Sequence, residues 1–121
     1  MKRDTLLYVN DILESIDAIN EYVLDMDEED FYKNRAIQDA VIRRLEIIGE
    51  AVKNIPQNTL KNHPNIPWTK IAGLRDVLIH SYFGVGQNRV WKVISDNLPE
   101  LKEETEKIKS ELDSLKNKKV K

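Results

Sequence analysis

Arg75, His80 and Tyr82 are the residues whose types and spacing point most directly to chemistry. They lie with Asp76 in the segment Arg-Asp-Val-Leu-Ile-His-Ser-Tyr, which would span about two turns of a helix ending near Gly84. A guanidinium stays charged and can bind two phosphate oxygens at once, whereas an imidazole titrates near neutral pH and can move a proton. This pair of groups is suited to cleavage of a phosphodiester bond.

The four side chains do not share one face of an ideal helix. With about 100° per residue, Tyr82 returns close to the direction of Arg75, whereas His80 lies about 140° away from it. Asp76 precedes His80 by four residues and is placed to orient the imidazole. Either the helix end unwinds to bring Arg75 and His80 together, or two copies pair so that both sets line one cleft. We favour a homodimer, because it also supplies one imidazole for each of two proton transfers.

Each of these residues also has a purely structural interpretation. His80 could be a cation that interacts favourably with a helix C-terminus. Arg75 could form a surface ion pair, and Tyr82 could close the edge of the core. His63, beside Pro64 in a polar stretch, is predicted to be a solvated turn residue rather than a catalytic one.

Apolar periodicity indicates the elements that must position these groups. A first helix is predicted from Leu6 to Met26, and a second from Ile37 to Ile55, ending at Pro56. After a loop up to Pro67, a third helix begins near Pro67 and Trp68 and carries the motif. On this helix Ile71, Leu74 and Leu78 form the buried stripe.

The last third of the chain has a heptad-like apolar seam that could pair with the first helix or with another chain. Its members are Trp91, Ile94, Leu98, Leu101, Thr105, Ile108, Leu112 and Leu115. Because Pro99 cannot donate a backbone hydrogen bond, a kink or restart is expected there. The predicted fold is therefore all-α, an antiparallel bundle of four long helices with the fourth kinked or split near Pro99.

Length and composition limit the remaining possibilities. The 121 residues suit one domain over 1–116, followed by a lysine-rich disordered tail over 117–121. The net charge of −2 gives no global attraction to nucleic acid, although Arg35, Arg43, Arg44, Lys70, Arg75 and Arg89 could form a local basic groove. No stretch is typical of an export signal or a membrane span, so a cytoplasmic protein without a membrane partner is expected. Cysteine is absent, and Glu46 with Glu50 is a weak metal signal, so no cofactor is predicted.

With these motifs in place, the sequence resembles the HEPN superfamily and, within it, the HepT-like ribonuclease toxins. The match rests on Arg75-x4-His80-x-Tyr82, with Asp76 as the polar residue after the arginine. It extends to the segment 37–53, to Pro67-Trp68-x-x-Ile71-x-Gly73, and to Val90-Trp91 with Leu98-Pro99-Glu100-Leu101. The combination is far more specific than Arg-x4-His alone.

The resemblance implies a HEPN-like homodimer that acts as a metal-independent endoribonuclease on RNA such as tRNA or mRNA. It implies that Arg75 and His80 are catalytic and that Asp76 supports them. It also implies that Tyr82 is modified with AMP by a minimal nucleotidyltransferase antitoxin, which silences the toxin. Two alternatives stay open: a non-catalytic helical module that binds a nucleotidyltransferase or a nucleotide, and a purely structural dimer.

Overall fold

The computed structural model describes residues 4–74, residue 78 and residues 86–119, with the side chains of 116–119 excluded. The elements over these residues are all helical, which confirms the predicted all-α class. The helices are α1 (Thr5–Tyr22), α2 (Glu28–Lys33), α3 (Arg35–Lys53), α4 (Gln57–Leu60), α5 (Trp68–Ala72), α6 (Gln87–Lys92) and α7 (Leu98–Lys119), with a π-helical turn at Val93–Asn97 between the last two.

Helix α1 confirms the predicted first helix but ends four residues earlier than Met26. Its N-terminus is capped by Asp4, whose carboxylate accepts the Leu6 N–H at 3.3 Å. After Tyr22 the chain turns, and Asp25 adopts a φ of 66°, a left-handed conformation that Asp tolerates better than most residues. The turn at residues 23–25, which includes Asp25, therefore ends α1.

Helix α2 is a short element that the sequence analysis missed. Asp27 and Asp30 form a reciprocal capping box, each side chain accepting the other residue's backbone N–H. Phe31 is fully buried, and its carbonyl accepts a hydrogen bond from Gln38 Nε2 at 2.9 Å. Capping and one aromatic anchor thus fold six residues into a helix without any long apolar period.

Helix α3 confirms the predicted second helix. Asn34 caps it by accepting the Ile37 N–H at 3.0 Å, and the buried face carries Val41, Leu45 and Ile48. This face packs against α1 and also contacts α5. Helix α3 is therefore the central support for the start of the predicted motif helix.

The segment between Pro56 and Pro67 was predicted as a loop, and it contains the single helical turn α4. Leu60 and Ile66 are buried in it. Helix α5 starts at Trp68 directly after Pro67, as predicted, but it ends at Ala72 with Gly73 as its C-cap, before the motif that the third helix was predicted to carry. Leu74 and Leu78 are also helical.

The final third contains the break that Pro99 led us to expect. The π-helical turn Val93–Asn97 immediately precedes α7, and Pro99 lies in the first turn of α7. Leu98, Leu101, Thr105 and Ile108 are buried where α7 contacts α1. The apolar seam of α7 therefore pairs with the first helix, one of the two partners predicted for it. Leu115, near the C-terminal end of the seam, is 55% exposed.

One apolar core joins these elements. Its buried members are Val9, Ile12, Ile16, Ile19, Phe31, Val41, Leu45, Ile48, Ala51, Val52, Ile55, Leu60, Ile66, Ile71, Val90, Ile94, Leu98, Leu101 and Ile108. In the part of the chain that the structure describes, no helix is long and apolar enough to cross a bilayer. The backbone of 117–119 continues α7. The four-helix count, the antiparallel arrangement and the domain division at 116 stay predictions.

Candidate active site

Arg75, Asp76, His80 and Tyr82 all lie outside the described residues. What the structure describes is how the chain is held on either side of them. Ile71 is 7% exposed, and Leu74 and Leu78 are partly buried against the core, which confirms the predicted apolar stripe.

On the C-terminal side of the motif the chain re-enters the core. Gly86 and Val90 are buried, and Trp91 packs against Phe31 with ring centroids 5.4 Å apart. The motif segment therefore runs between two anchored stretches, one in α5 and one in α6.

Trp68 fixes the beginning of α5, the short helix that precedes the motif. Its indole is half-buried against the core, and Nε1–H donates a 2.9 Å hydrogen bond to the carbonyl of His63. Trp68 and Trp91 both pack against the apolar core. The position of α5 depends on where His63 lies, five residues earlier.

The prediction that His63 is a solvated turn residue is wrong. The residue is 5% exposed, and both ring nitrogens face carboxylates of α7. Nδ1 lies 2.7 Å from Glu104 Oε2, and Nε2 lies 3.2 Å from Glu111 Oε2. The turn residues around it did predict a bend, but α7 covers that bend and brings in two acids from more than forty residues away.

Glu104 is the centre of this polar cluster. Its Oε1 accepts from Asn65 Nδ2 at 3.1 Å and from Lys107 Nζ at 3.0 Å, while Oε2 faces His63. The residue is 7% exposed, so an unpaired charge there would be costly. Every oxygen of this buried carboxylate has a partner in the structure.

These contacts shift the titration of both partners. Burial works against the charged form of His63, but the bonds to Glu104 and then Glu111 outweigh it, so the pKa of His63 is raised above 6.5. The bond to His63, followed by those to Asn65 and Lys107, lowers the pKa of Glu104 from 4.5 to about 2. Lys107 in turn has a raised pKa, caused by its bond to Glu104.

One local signal could have revealed this cluster. Glu104 and Glu111 are seven residues apart, so they lie on the same side of α7, beside the seam residues Leu101, Thr105 and Ile108. Acids bordering a buried seam call for a cationic or donor partner. The identity of that partner depends on tertiary packing and could not be read from spacing.

Two arginines of the predicted basic groove have protein partners. Arg44 Nε donates to the Tyr22 hydroxyl at 3.4 Å, and Arg43 pairs with Glu46 at 3.6 Å. Arg43 and Glu46 also line a groove of about 260 Å³ between α1 and α3. Within the described residues, no three acidic or histidine side chains are arranged to hold a metal ion.

Comparison with known proteins gives these features a context. Residues 12–108 match the family described as Ribonuclease HepT-like, and that span includes the Arg75-x4-His80-x-Tyr82 motif. The helical fold and this match define a HEPN-type helical domain. The chain belongs to the HepT-like ribonuclease family.

Three relatives illustrate the similarity. A protein of Methanocaldococcus jannaschii, whose name combines gamma-glutamylcyclotransferase with a provisional RNase assignment, is 50% identical over 98% of this chain and 54% of its own length. A second M. jannaschii protein, provisionally named as an RNase, is 48% identical over 93% of this chain and 97% of its own length. A Thermococcus cleftensis protein named "Probable ribonuclease HepT" is 47% identical over 90% and 99%.

The chain thus spans about half of the first relative and nearly all of the other two. No solved structure matches the chain.

Proposed function

We propose that this chain is the toxin of a toxin-antitoxin pair and acts as a metal-independent endoribonuclease. The observation that carries the proposal is that the family match over residues 12–108 contains Arg75, His80 and Tyr82 at the spacing typical of HepT-like toxins. Relatives named as ribonucleases, at 47% identity or more over most of this chain, support the same activity.

The proposed reaction is an internal displacement at phosphorus, in which the ribose 2′-oxygen replaces the 5′-oxygen of the next nucleotide. The 2′-hydroxyl oxygen of a ribose attacks the adjacent phosphorus while neutral His80 removes the hydroxyl proton. A bond forms between the 2′-oxygen and phosphorus, and the bond from phosphorus to the 5′-oxygen breaks. A second imidazolium, His80 of a paired copy, protonates the departing 5′-oxygen. The products are a 2′,3′-cyclic phosphate and a 5′-hydroxyl.

Arg75 stabilises the phosphorane that forms during this attack. Its guanidinium can bind two of the phosphorus oxygens and keeps its charge at any pH at which the protein is folded. Asp76 supports the imidazole by holding one ring N–H, so that the other nitrogen faces the ribose. Arg75, Asp76 and His80 each have one role in this assignment.

A homodimer completes the site in this proposal. On an ideal helix Arg75 and His80 point about 140° apart, so one copy of the helix presents them to different directions. A two-fold axis near the motif helices would bring the guanidinium of one protomer toward the imidazole of the other.

Tyr82 is the proposed point of control. A nucleotidyltransferase partner would transfer AMP from ATP to the phenol oxygen, breaking the bond between the α- and β-phosphates and releasing pyrophosphate and the phenol proton. The adenylate places negative charge and bulk beside Arg75, so the substrate phosphate is both repelled and obstructed.

The chemistry is tested by the ends of the RNA products and by a modified substrate. We expect a cyclic phosphate and a 5′-hydroxyl, and we expect that replacing the ribose at the cleaved position with deoxyribose abolishes cleavage there, because the nucleophile is gone. Products with a 5′-phosphate, or cleavage of the deoxy substrate, would refute attack by the 2′-hydroxyl.

A further inference from the structure

His63 is a buried titratable group that the proposed reaction does not use. Both of its ring nitrogens lie within hydrogen-bonding distance of carboxylate oxygens, which can only accept. A neutral imidazole has one N–H, so one nitrogen would then direct a lone pair at a carboxylate. With both carboxylates ionised, the geometry is satisfied when both nitrogens carry hydrogen, which makes the ring a cation between two anions.

The same residue is connected to the start of α5. The backbone carbonyl of His63 accepts the Trp68 indole N–H at 2.9 Å, and Trp68 is the first residue of α5. Helix α5 ends at Ala72, and Arg75 follows three residues later in the sequence. A displacement of His63 would therefore be passed to the helix that immediately precedes the motif.

We propose that His63 is a positioning residue: its imidazolium, clamped between Glu104 and Glu111 of α7, fixes Trp68 and hence α5, the helix that precedes Arg75 in the sequence. We call this unit the His63 brace, consisting of His63, Glu104, Glu111 and Trp68. The effect on RNA cleavage rests on the ribonuclease function proposed above. The contacts of the His63 ring with Glu104 and Glu111, and the hydrogen bond from Trp68 to the His63 carbonyl, are properties of the fold.

Several charged or polar groups face the brace. Helix α7 supplies Glu104 and Glu111, with Lys107 bound to the far oxygen of Glu104. The segment before α5 supplies Asn65, which donates to that same oxygen. The surplus of acid over base around the ring is consistent with the raised pKa of His63, and hydrogen bonds hold the pKa of Glu104 at about 2.

The sign of the pH dependence follows from these shifts. His63 has a pKa above its unfolded value of 6.5, so its contribution to stability is complete below pH 6.5 and is lost as the pH rises through the raised value. Glu104 contributes above pH 4.5 and loses its contribution as the pH falls toward 2. The brace is therefore strongest in weakly acidic solution.

The first test is an NMR titration, which the chain makes simple because His63 and His80 are its only histidines. In the His80→Ala protein the single imidazole should titrate above pH 6.5, with both ring nitrogens protonated at lower pH. Glu111→Gln removes an acid whose side chain is 54% exposed and should lower that pKa, whereas Glu103→Gln, an exposed acid on the same helix, should leave it almost unchanged. A His63 pKa at or below 6.5 would overturn the brace.

The second test follows the hold on Trp68. In His63→Gln the indole N–H of Trp68, assigned by comparison with Trp91→Phe, should exchange faster with solvent than in the wild type. The melting temperature should also fall below that of wild type by more at pH 6 than at pH 9. An unchanged exchange rate of the Trp68 indole N–H in His63→Gln would show that the His63 ring does not fix Trp68, and would refute the positioning role.

Cleavage separates this inference from the proposed function. If the wild-type protein cleaves RNA, His63→Gln should lower kcat about tenfold at pH 6 with little change in KM, because misplacement of Arg75 weakens transition-state binding. Equal kcat values despite a freed Trp68 would refute the link to Arg75. A folded wild type that cleaves no RNA would refute the proposed function, while the titration and exchange results would still decide the brace.

Discussion

At the scale of single residues, the sequence was most informative where chemistry requires particular groups at a fixed spacing. Arg75, His80 and Tyr82 stood out because they place a guanidinium, an imidazole and a phenol within about two turns of a predicted helix, and because further motifs along the chain match the same family. They lie outside the described residues, so their roles stay predictions. The structure instead describes the apolar residues that hold the helix, Ile71, Leu74 and Leu78, whose burial confirms the helical spacing.

His63 shows why residue-scale prediction can fail. Its neighbours Asn62, Pro64 and Asn65 are typical of an exposed turn, and that local signal was real. Burial of the ring comes from α7, which brings Glu104 and Glu111 onto the turn from the far end of the chain. Local composition predicts the bend of the backbone, but only tertiary packing decides which face of the bend meets water.

The modification proposed for Tyr82 can be tested at this scale. Tyr82→Phe removes the phenol oxygen and leaves the ring, so RNA cleavage should remain within about threefold of wild type, while incubation with the nucleotidyltransferase and ATP should no longer silence it. Mass spectrometry should find an AMP adduct on wild type and none on the variant. Loss of cleavage in Tyr82→Phe would instead place the hydroxyl in the reaction.

At the scale of elements, the long helices were predictable and the short ones were not. Helices α1, α3 and α7 have an apolar repeat over many turns, and this repeat identifies them regardless of what they pack against. Helices α2 and α4 have six and four residues, too few to show a period. Helix α2 depends on its capping box and on Phe31, and α4 depends on Leu60; the burial of both side chains is a property of the assembled core.

The pairing of α7 with α1 makes a quantitative prediction at this scale. Ile108 is fully buried on the seam, so Ile108→Ala should lower the free energy of unfolding by about 2 to 5 kcal/mol through lost burial and the cavity left behind. Leu115, 55% exposed on the same helix, is the matched control. Leu115→Ala should lower the free energy of unfolding by less than about 1 kcal/mol. Urea denaturation of both variants measures the difference. Equal losses of unfolding free energy in the two variants would contradict the packing of α7 against α1.

At the scale of the whole molecule, the predicted all-α class was confirmed over the described residues, and the chain belongs to the HepT-like ribonuclease family. The number of copies in the active form was inferred from the angle between Arg75 and His80 on one helix. No single-chain property fixes it, because an interface between identical subunits is made of surface residues that also tolerate solvent.

The shared cleft can be tested by mixing inactive proteins. Arg75→Ala and His80→Ala should each be inactive alone, yet dimers formed from one copy of each keep one guanidinium and one imidazole in the common cleft. Because the mixed cleft still lacks one of the two imidazoles, we expect the mixture, after unfolding and refolding together, to cleave RNA faster than either variant alone but well below the wild-type rate, with sedimentation confirming dimers throughout. A mixture as inactive as its components would contradict a cleft built from both protomers.

The most direct test of the central claim is the rate of RNA cleavage by the purified protein in EDTA, compared among four proteins. The wild type should cut RNA without added metal, and Lys53→Ala, which removes an exposed cation at the end of α3, should cut at a similar rate. Arg75→Ala should lose about 10²- to 10⁴-fold in rate, and His80→Ala, which removes both proton-transfer groups of the dimer, should lose at least as much. A folded wild type that leaves RNA intact, or a His80→Ala protein that cleaves as fast as wild type, would contradict the account.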